Sequence, residues 1–443
     1  MPSADPISGC GFVVDTSASC CCTCDLPSGL CSWCWRSVLE PAGRSSRLEP
    51  AGRGSRPEPA DRGPEPMKIG FDASVASGQP GGTGTYAVQL LNALVPMRPD
   101  WTFVLYFRRM TDANPLLAGL GDNVVRVAVP GRTNVARIQL ALPRQLEQDA
   151  IDLYHSPGYF LPLRWPGPKV VTIHDMNMYV QARNWLRLAK LRAWADLSVQ
   201  TPLSARVARR IIVDSMSAQR DVTRLLRVRA SRVRVIPLAP DPYFDEAARP
   251  EETAAAEAIG DGKPYVLFVG ILSPQKNLEG LVDAFASSGI WRQGVQLVIA
   301  GADHEGYQRE LEAAAMRASV AGFVKFPGYV PRPTLRGLYG SATCLVLPSY
   351  GEGFGLPMVE AMACGVPILA ANRQALPEVL DGGGQLFDPA KPEDLVVLLR
   401  KVTDDREFRH ELTQRAVTRR KDFSWARTAA ATADVYEEVL RGA

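Results

Sequence analysis

Two glutamates eight positions apart carry the clearest chemical signal in the chain. They are Glu352 and Glu360, in the run SYGEGFGLPMVEAMACGVP. Gly353 and Gly355 follow the first, so it belongs on a loop, while the second falls inside the helical pattern after it. Eight residues would advance a helix by about 800°, but only the later part of the segment need be helical, so both carboxylates can face one cleft. A carboxylate accepts from two vicinal hydroxyls at once, which suits a ribose or a hexose. Bare backbone N–H groups around Gly353 and Gly355 would offer donors to the same ligand. The plainer alternative is one capping glutamate and one solvated glutamate.

Three further places hold candidate chemistry. Lys276, in GILSPQKNLEGLVDAF, stands between a strand-like run ending at Gly270 and a helical pattern. A cation at a helix entrance opposes the helix dipole, so an anion such as a diphosphate would account for it, unless the lysine is simply solvated. His174, followed by Asp175, directly succeeds the strand-like VVTI and is one of only four histidines. There it either points into a cleft or is structural, with Asp175 orienting its ring or capping the next helix. Gly81 and Gly82, in GGTGTYAVQLLNAL, precede a helix and would let a ligand approach the backbone. They do not form the G-x-G-x-x-G dinucleotide fingerprint, and such a loop also serves as a simple turn.

The elements that must position these residues repeat one scheme. Short apolar runs rich in β-branched residues alternate with helical patterns, as βα units of a doubly covered parallel sheet do. KIGFDAS, FVLYFR, VVRVAV, LYHSP, VVTIHD, IIVDS and VRVIPL form a first series of strands; YVLFVG, VQLVIAG, VKFPGY, CLVLPS, VPILAA and GQLFD form a second. Two series imply two doubly wound, Rossmann-like domains, with the linker in the Pro-, Gly- and charge-rich 240–263. In such sheets ligands bind beyond the carboxyl ends of the strands, where the residues above fall.

Composition bounds the rest. The chain has 443 residues, 46% hydrophobic and 22% charged, enough for two cores at about 150 residues per domain. The longest apolar run, Tyr265 to Leu272, is far short of the roughly 18 residues that span a bilayer. The first basic residue is Arg36, unlike the basic start of a secretory signal, so a cytosolic protein is expected. Seven of the nine cysteines lie in the first 34 residues. Cys21-x-x-Cys24 and Cys31-x-x-Cys34 could bind zinc, but the gap between the pairs is shorter than zinc modules use. Residues 35–66 are a Pro/Gly/Arg/Glu repeat with nothing to bury. Residues 1–66 are therefore expected to be a disordered extension, with translation starting at Met67.

From Met67 onward the chain resembles the family-4 retaining glycosyltransferases of the GT-B fold. The motifs carrying the likeness, in order, are GGTGTYAVQLLNAL, VVTIHD, IIVDSMSAQRDV, VRVIPL, FVGILSPQKNLEGLVDAF, LVIAG, FPGYV, LPSYGEGFGLPMVEAMACGVPILAA, LPEV and FDP. The resemblance implies an acceptor-side domain at 67–245, a nucleotide-sugar domain at 246–424 and a helix at 425–443 crossing back to the first domain. It also implies that Glu360 holds the ribose and Glu352 the donor sugar. Lys276 would neutralise the departing diphosphate, and the N–H groups around Gly353, Phe354, Gly355 and Leu356 would meet sugar and phosphate. His174 would stand near the reacting face, and Gly81 and Gly82 would line the acceptor side. Where many members carry Arg or Thr after the strand-end glycine Gly270, this chain has Ile271.

These implications make the protein a transferase, moving a sugar, mannose for instance, from a nucleotide diphosphate donor to a saccharide or lipid-linked acceptor. No cofactor is expected, and with no Asp-x-Asp triplet in the sequence, no metal. The alternatives are a silent sugar-nucleotide-binding subunit, an epimerase or a phosphorylase, the last lacking a recognisable pyridoxal lysine. Residues 181–234 hold 13 Lys or Arg against three Asp, an excess that could meet an anionic membrane. There Trp185, Leu186 and Leu191 interleave with Arg187, Lys190 and Arg192, although an ordinary amphipathic helix reads the same way. A nucleic-acid partner is not expected, since no binding module accompanies the charge.

Overall fold

Short, largely apolar runs become strands of three to six residues, and all thirteen expected runs contain one. The computed structural model describes residues 66–77, 81–177, 188–303 and 306–442, the side chains of 188–196 excepted. The cysteine pairs, the 35–66 repeat, and Trp185, Leu186 and Arg187 lie outside the described residues, as do the side chains of Lys190, Leu191 and Arg192.

The first lobe carries β1 Lys68–Asp72, β2 Thr102–Phe107, β3 Val124–Ala128, β4 Leu153–Ser156, β5 Lys169–Thr172, β6 Arg210–Val213 and β7 Val233–Val235. The second carries β8 Tyr265–Val269, β9 Gln296–Ala300, β10 Val324–Gly328, β11 Cys344–Leu347, β12 Ile368–Ala371 and β13 Gln385–Phe387. The sheet orders are β3-β2-β1-β4-β5-β6-β7 and β10-β9-β8-β11-β12-β13. All pairings are parallel. Each sheet reverses its winding once, between β1 and β4 and between β8 and β11. The loops after those four strands border the crevices where ligands of such folds bind.

Strand alternation divides the first lobe's core. Phe103, Leu105 and Phe107 pack on the face shared with Tyr86, Leu90 and Leu94 of the helix Gly82–Met97. Val104 and Tyr106 point to the opposite face, with Tyr154, Val171 and Ile211. The C-terminal helix Trp425–Leu440 belongs to the first of these cores through Tyr436 and Val439. Tyr436 stacks on Trp101 with ring centroids 6.1 Å apart. Trp425 Nε1 donates to Pro240 O (2.9 Å), and Glu438 takes Arg210 and Arg234 at 2.7 and 2.6 Å. The chain thus leaves the second lobe and ends against the first. Ser424 occupies the N-cap of this helix, but its side chain makes no capping bond there.

The stretch between the sheets is more regular than its composition leads one to expect. It holds the helix Pro250–Ile259, with Pro at the first helical position and Glu251 and Glu252 in the first turn. This helix packs so closely on Arg332–Ser341 that a Cβ at Gly337 would lie 2.1 Å from Glu252 O. The fully buried Arg336 guanidinium donates to both oxygens of Glu252, at 2.7 and 2.9 Å. A long-range ion pair, which no local pattern announces, orders this segment.

Candidate active site

The loop after β8 turns through Gly270, whose φ of +154° suits glycine, and ends in the single turn Pro274–Lys276. The β9 end leaves no room beside it, since a Cβ at Gly301 would lie 1.8 Å from Gly270 O. Ile271, the first residue past that glycine, is exposed. The loop after β11 lies alongside. Gln275 Nε2 donates to Gly351 O (2.7 Å), Tyr350 N to Gln275 O (3.0 Å), and Asn277 Nδ2 to Pro348 O (3.2 Å). Between these loops Lys276 Nζ meets Glu352 Oε1 at 2.6 Å, and Ser349 Oγ donates to the same oxygen at 2.7 Å. The anion that accounts for Lys276 is therefore supplied in this structure by the protein itself.

Glycine opens the helix that follows. Gly355 has a φ of +92° and is the N-cap of Leu356–Ala363, whose first N–H groups lack intrahelical acceptors. Phe354 is buried edge-on against Phe423. Glu360, further along the helix, is buried in a separate environment, where Tyr339 OH donates to its Oε2 at 2.9 Å. Burial pushes the Glu360 carboxyl up to about 7. The Tyr339 hydrogen bond pulls it back, Asp241 raises it and Arg332 lowers it. Arg332 is itself held by Asp241 at 2.5 Å. Glu352 and Glu360 thus sit on one loop-helix unit with different partners: one meets a lysine, the other is a nearly uncompensated buried acid.

The first lobe presents its strand ends to these loops. His174, two residues past β5, places Nδ1 2.7 Å from Asp214 Oδ2 and Nε2 3.0 Å from Pro157 O, with Tyr86 edge-on at 4.9 Å. The following backbone touches the other lobe: a Cβ at Gly353 would lie 2.2 Å from His174 O and 2.9 Å from Asp175 Cβ. Burial raises the Asp175 carboxyl, against the pull of an Asn177 N–H and the charges of His174 and Lys276. Asp175 therefore lies within electrostatic reach of His174 in its own lobe and of Lys276 and Glu352 in the other. Gly81 is the N-cap of Gly82–Met97, and a Cβ at Gly82 would lie 3.7 Å from Leu356 Cδ1. The starts of two helices, one per lobe, meet there. The structure brings together Gly81, Gly82, His174, Lys276, Glu352, Gly353, Phe354, Gly355 and Leu356, with Gly270 opening the Lys276 loop.

Comparison with known proteins agrees with this arrangement. Residues 80–242 match the description Glycosyltransferase Family 4, and residues 250–419 match Glycosyl transferases group 1. The D-inositol 3-phosphate glycosyltransferase of Corynebacterium jeikeium (strain K411) is 30% identical over 315 residues, 65% of this chain and 72% of that one. The chain belongs to the family-4, group 1 glycosyltransferases. The O-antigen chain mannosyltransferase B of Escherichia coli is 28% identical over 288 residues, 64% of this chain and 74% of that one. Among solved structures, Anabaena HepE in complex with UDP and glucose superposes with a TM-score of 0.64 at 21% identity, covering 84% of this chain and 100% of that one. The architecture is the GT-B fold of two parallel-sheet, Rossmann-like domains.

Several residues of this glycosyltransferase, some of them inside the motifs named above, make contacts that the motifs alone do not announce. Asp214 and Ser215 follow β6 as His174 and Asp175 follow β5, and the same strand-end rule flags them. Ser215 Oγ reaches across to Gly353 O at 2.8 Å. Glu378, in LPEV, accepts from Met216 N and Ser217 N at 2.7 and 3.2 Å. A carboxylate of the second lobe thereby caps the helix Met216–Leu226 of the first. Gln374 Nε2 adds a bond to Asn177 Oδ1 at 3.0 Å. Only assembly of the lobes puts these pairs within reach.

The basic stretch is partly accounted for by internal bonds. Arg232 caps the helix Leu188–Val207 through Ala205 O (2.8 Å), Arg206 O (3.1 Å) and Ala208 O, while Arg210 and Arg234 share Glu438. Among the described residues no helix is long and apolar enough to cross a membrane.

Proposed function

We propose that this glycosyltransferase moves a hexosyl group, mannose being the first candidate, from a nucleoside diphosphate sugar to a saccharide or lipid-linked hydroxyl, with retention at the anomeric carbon. The observation that carries the reading is the pairing of Lys276 with Glu352 beside the start of Leu356–Ala363, against the His174 backbone. An ammonium and free helix N–H groups form an anion site, and the adjacent carboxylate accepts from hydroxyls. The names of the relatives, a mannosyltransferase and an inositol phosphate glycosyltransferase, support the sugar and a hydroxyl acceptor.

In this reading the donor's diphosphate takes over Lys276 and the N–H groups of Phe354, Gly355 and Leu356. Glu352 turns to the hydroxyls of the donor sugar. Glu360 receives the ribose hydroxyls, which supply the donors its buried carboxylate lacks. The bond from the anomeric carbon to the diphosphate oxygen breaks as the bond to the acceptor oxygen forms on the same face. The acceptor's proton leaves with the departing phosphate oxygen. Charge stabilisation of that leaving group is the main task, and Lys276 with the helix N-terminus meets it without asking for a metal ion. Residues 67–245 present the acceptor through Gly81 and Gly82, and 246–424 hold the donor. The basic residues of 181–234 would rest the protein on the anionic cytoplasmic face of a membrane, where a lipid-linked acceptor resides.

The test is turnover of UDP-, GDP- and ADP-sugars by the full chain, alongside Lys276→Met. One donor should be consumed with the product's anomeric configuration kept, and the variant should lose about 100- to 1,000-fold in kcat. Absence of binding to every donor would overturn the reading in favour of a silent subunit. Inverted product would overturn the stereochemistry.

A further inference from the structure

Hydrogen bonds join the two lobes along one flank of the cleft, where the loops after β5 and β6 face those after β11 and β12. Ser215 and Glu378 make bonds of this kind to backbone groups, and Gln374 Nε2 donates to Asn177 Oδ1 at 3.0 Å. The amide pair differs from the others in joining two side chains, and in its backbone. Gln374 has a φ of +46°, a left-handed conformation that is costly for a residue with a Cβ and that glycine adopts freely. What glutamine adds over glycine at this position is its side chain, so the strained backbone points to a task for the amide.

The pair stands against the residue that precedes Glu352. A Cβ at Gly351 would lie 2.6 Å from Gln374 Oε1 and 2.9 Å from Asn177 Oδ1. On the other side of Glu352, a Cβ at Gly353 would meet His174 O and Asp175 Cβ. Glu352 is thus flanked by two glycines, each pressed against the opposite lobe. Asn177 is 6% exposed, and its backbone N–H donates to Asp175 Oδ1 at 2.9 Å, which fixes the turn that presents its amide. The amide bridge and the two glycines form a wall of contacts beside Glu352. Apolar side chains would close such a wall as well, but amides suit one that must reopen, because water takes over their hydrogen bonds at little net cost.

We propose that Asn177 and Gln374 are positioning residues that seal this flank of the cleft and keep water from the donor sugar held at Glu352, so that a hydroxyl acceptor and not water receives it. The inference rests on the transferase reading above. In an unsealed site a water oxygen attacks the anomeric carbon and the bond to the diphosphate oxygen breaks. One proton of the water leaves with that oxygen, and the products are free hexose and nucleoside diphosphate. Exclusion of water is the established way for a closed site to prevent this side reaction.

Release of free hexose from UDP-glucose, GDP-mannose and ADP-glucose by the full chain, with water as the only acceptor, measures the seal. Gln374→Gly keeps the left-handed backbone and removes only the side chain, so the fold should be retained. Hydrolysis of the donor that binds should rise about fivefold, the scale by which losing one hydrogen bond shifts an opening equilibrium. Donor affinity by calorimetry should stay close to the parent's. Asn177→Ala should act in the same way, and the double variant should hydrolyse no faster than either single one, because each removes the same bond. Lys276→Met added to Gln374→Gly should suppress the hydrolysis. An unchanged or lowered rate in Gln374→Gly with the donor still bound overturns the proposal. So does a double variant whose increase is the product of the two single ones, or hydrolysis that survives Lys276→Met and therefore arises elsewhere. Absence of donor binding in the parent and the variants alike would overturn the transferase reading itself, and the seal with it.

Discussion

Replacing Glu360 by Gln should make the protein more stable and a poorer binder of its donor. The folded state raises this carboxyl from 4.5 to about 7, chiefly through burial. An acid whose pKa rises on folding contributes stability below its unfolded value and loses it as pH climbs through the folded one. The rise corresponds to about 3 kcal/mol, of which roughly 2 kcal/mol disappear between pH 5.5 and 8.5. Glutamine fills the same volume, keeps an acceptor for the Tyr339 hydroxyl and carries no charge to desolvate. The gap between variant and parent should therefore widen as pH climbs through about 7 and level off by about pH 8.5, where the variant gains about 5–10 °C in melting temperature for a lobe of this size. Donor binding should move the other way. Ribose hydroxyls that donate to a carboxylate would lose charge-assisted bonds, and affinity at pH 8 should fall about 10- to 100-fold. Thermal melts at both pH values and calorimetric titration with the donor measure the two effects. A stability gap that does not widen with pH would refute the burial argument. A widened gap with unchanged donor affinity would remove Glu360 from the ribose site.

Gly353→Ala should hold the lobes apart, because the new methyl carbon would stand 2.2 Å from the His174 carbonyl oxygen. We expect an enlarged radius of gyration by small-angle scattering and a raised donor KM, with the melting temperature little changed. Glu378→Ala removes the carboxylate that caps Met216–Leu226 from the opposite lobe. Loss of about 1 kcal/mol of interlobe coupling should appear as faster amide exchange at Met216 and Ser217. Arg336→Met leaves Glu252 buried without its partner and should cost about 3–5 kcal/mol in chemical denaturation, a loss that Glu252→Gln in the same chain should partly relieve.

Much of the architecture was legible because apolar patterning is local. A run such as Val-Leu-Phe-Val declares a doubly covered strand within its own few residues, and a glycine, lacking a Cβ, marks a place where a neighbour can approach the backbone. That is why both strand series, the helix start at Gly81 and Gly82 and the Glu352–Glu360 unit could be read in order. The helix Pro250–Ile259 was not legible as part of a packed layer. Its order depends on Arg336, 84 residues beyond the glutamate that it grips.

The residue types and their strand-end positions were determined by the sequence alone, and with them two Rossmann-like lobes and the candidate groups between them. Which charge meets which partner was decided only by the tertiary structure. Lys276 finds Glu352 across 76 positions, and His174 finds Asp214 across 40. Glu360 is an acid near neutrality because its burial in the packed core outweighs the hydrogen bond that Tyr339 donates to it. Electrostatic character depends on distance and dielectric in space, and neither is encoded in the spacing of residues along the chain.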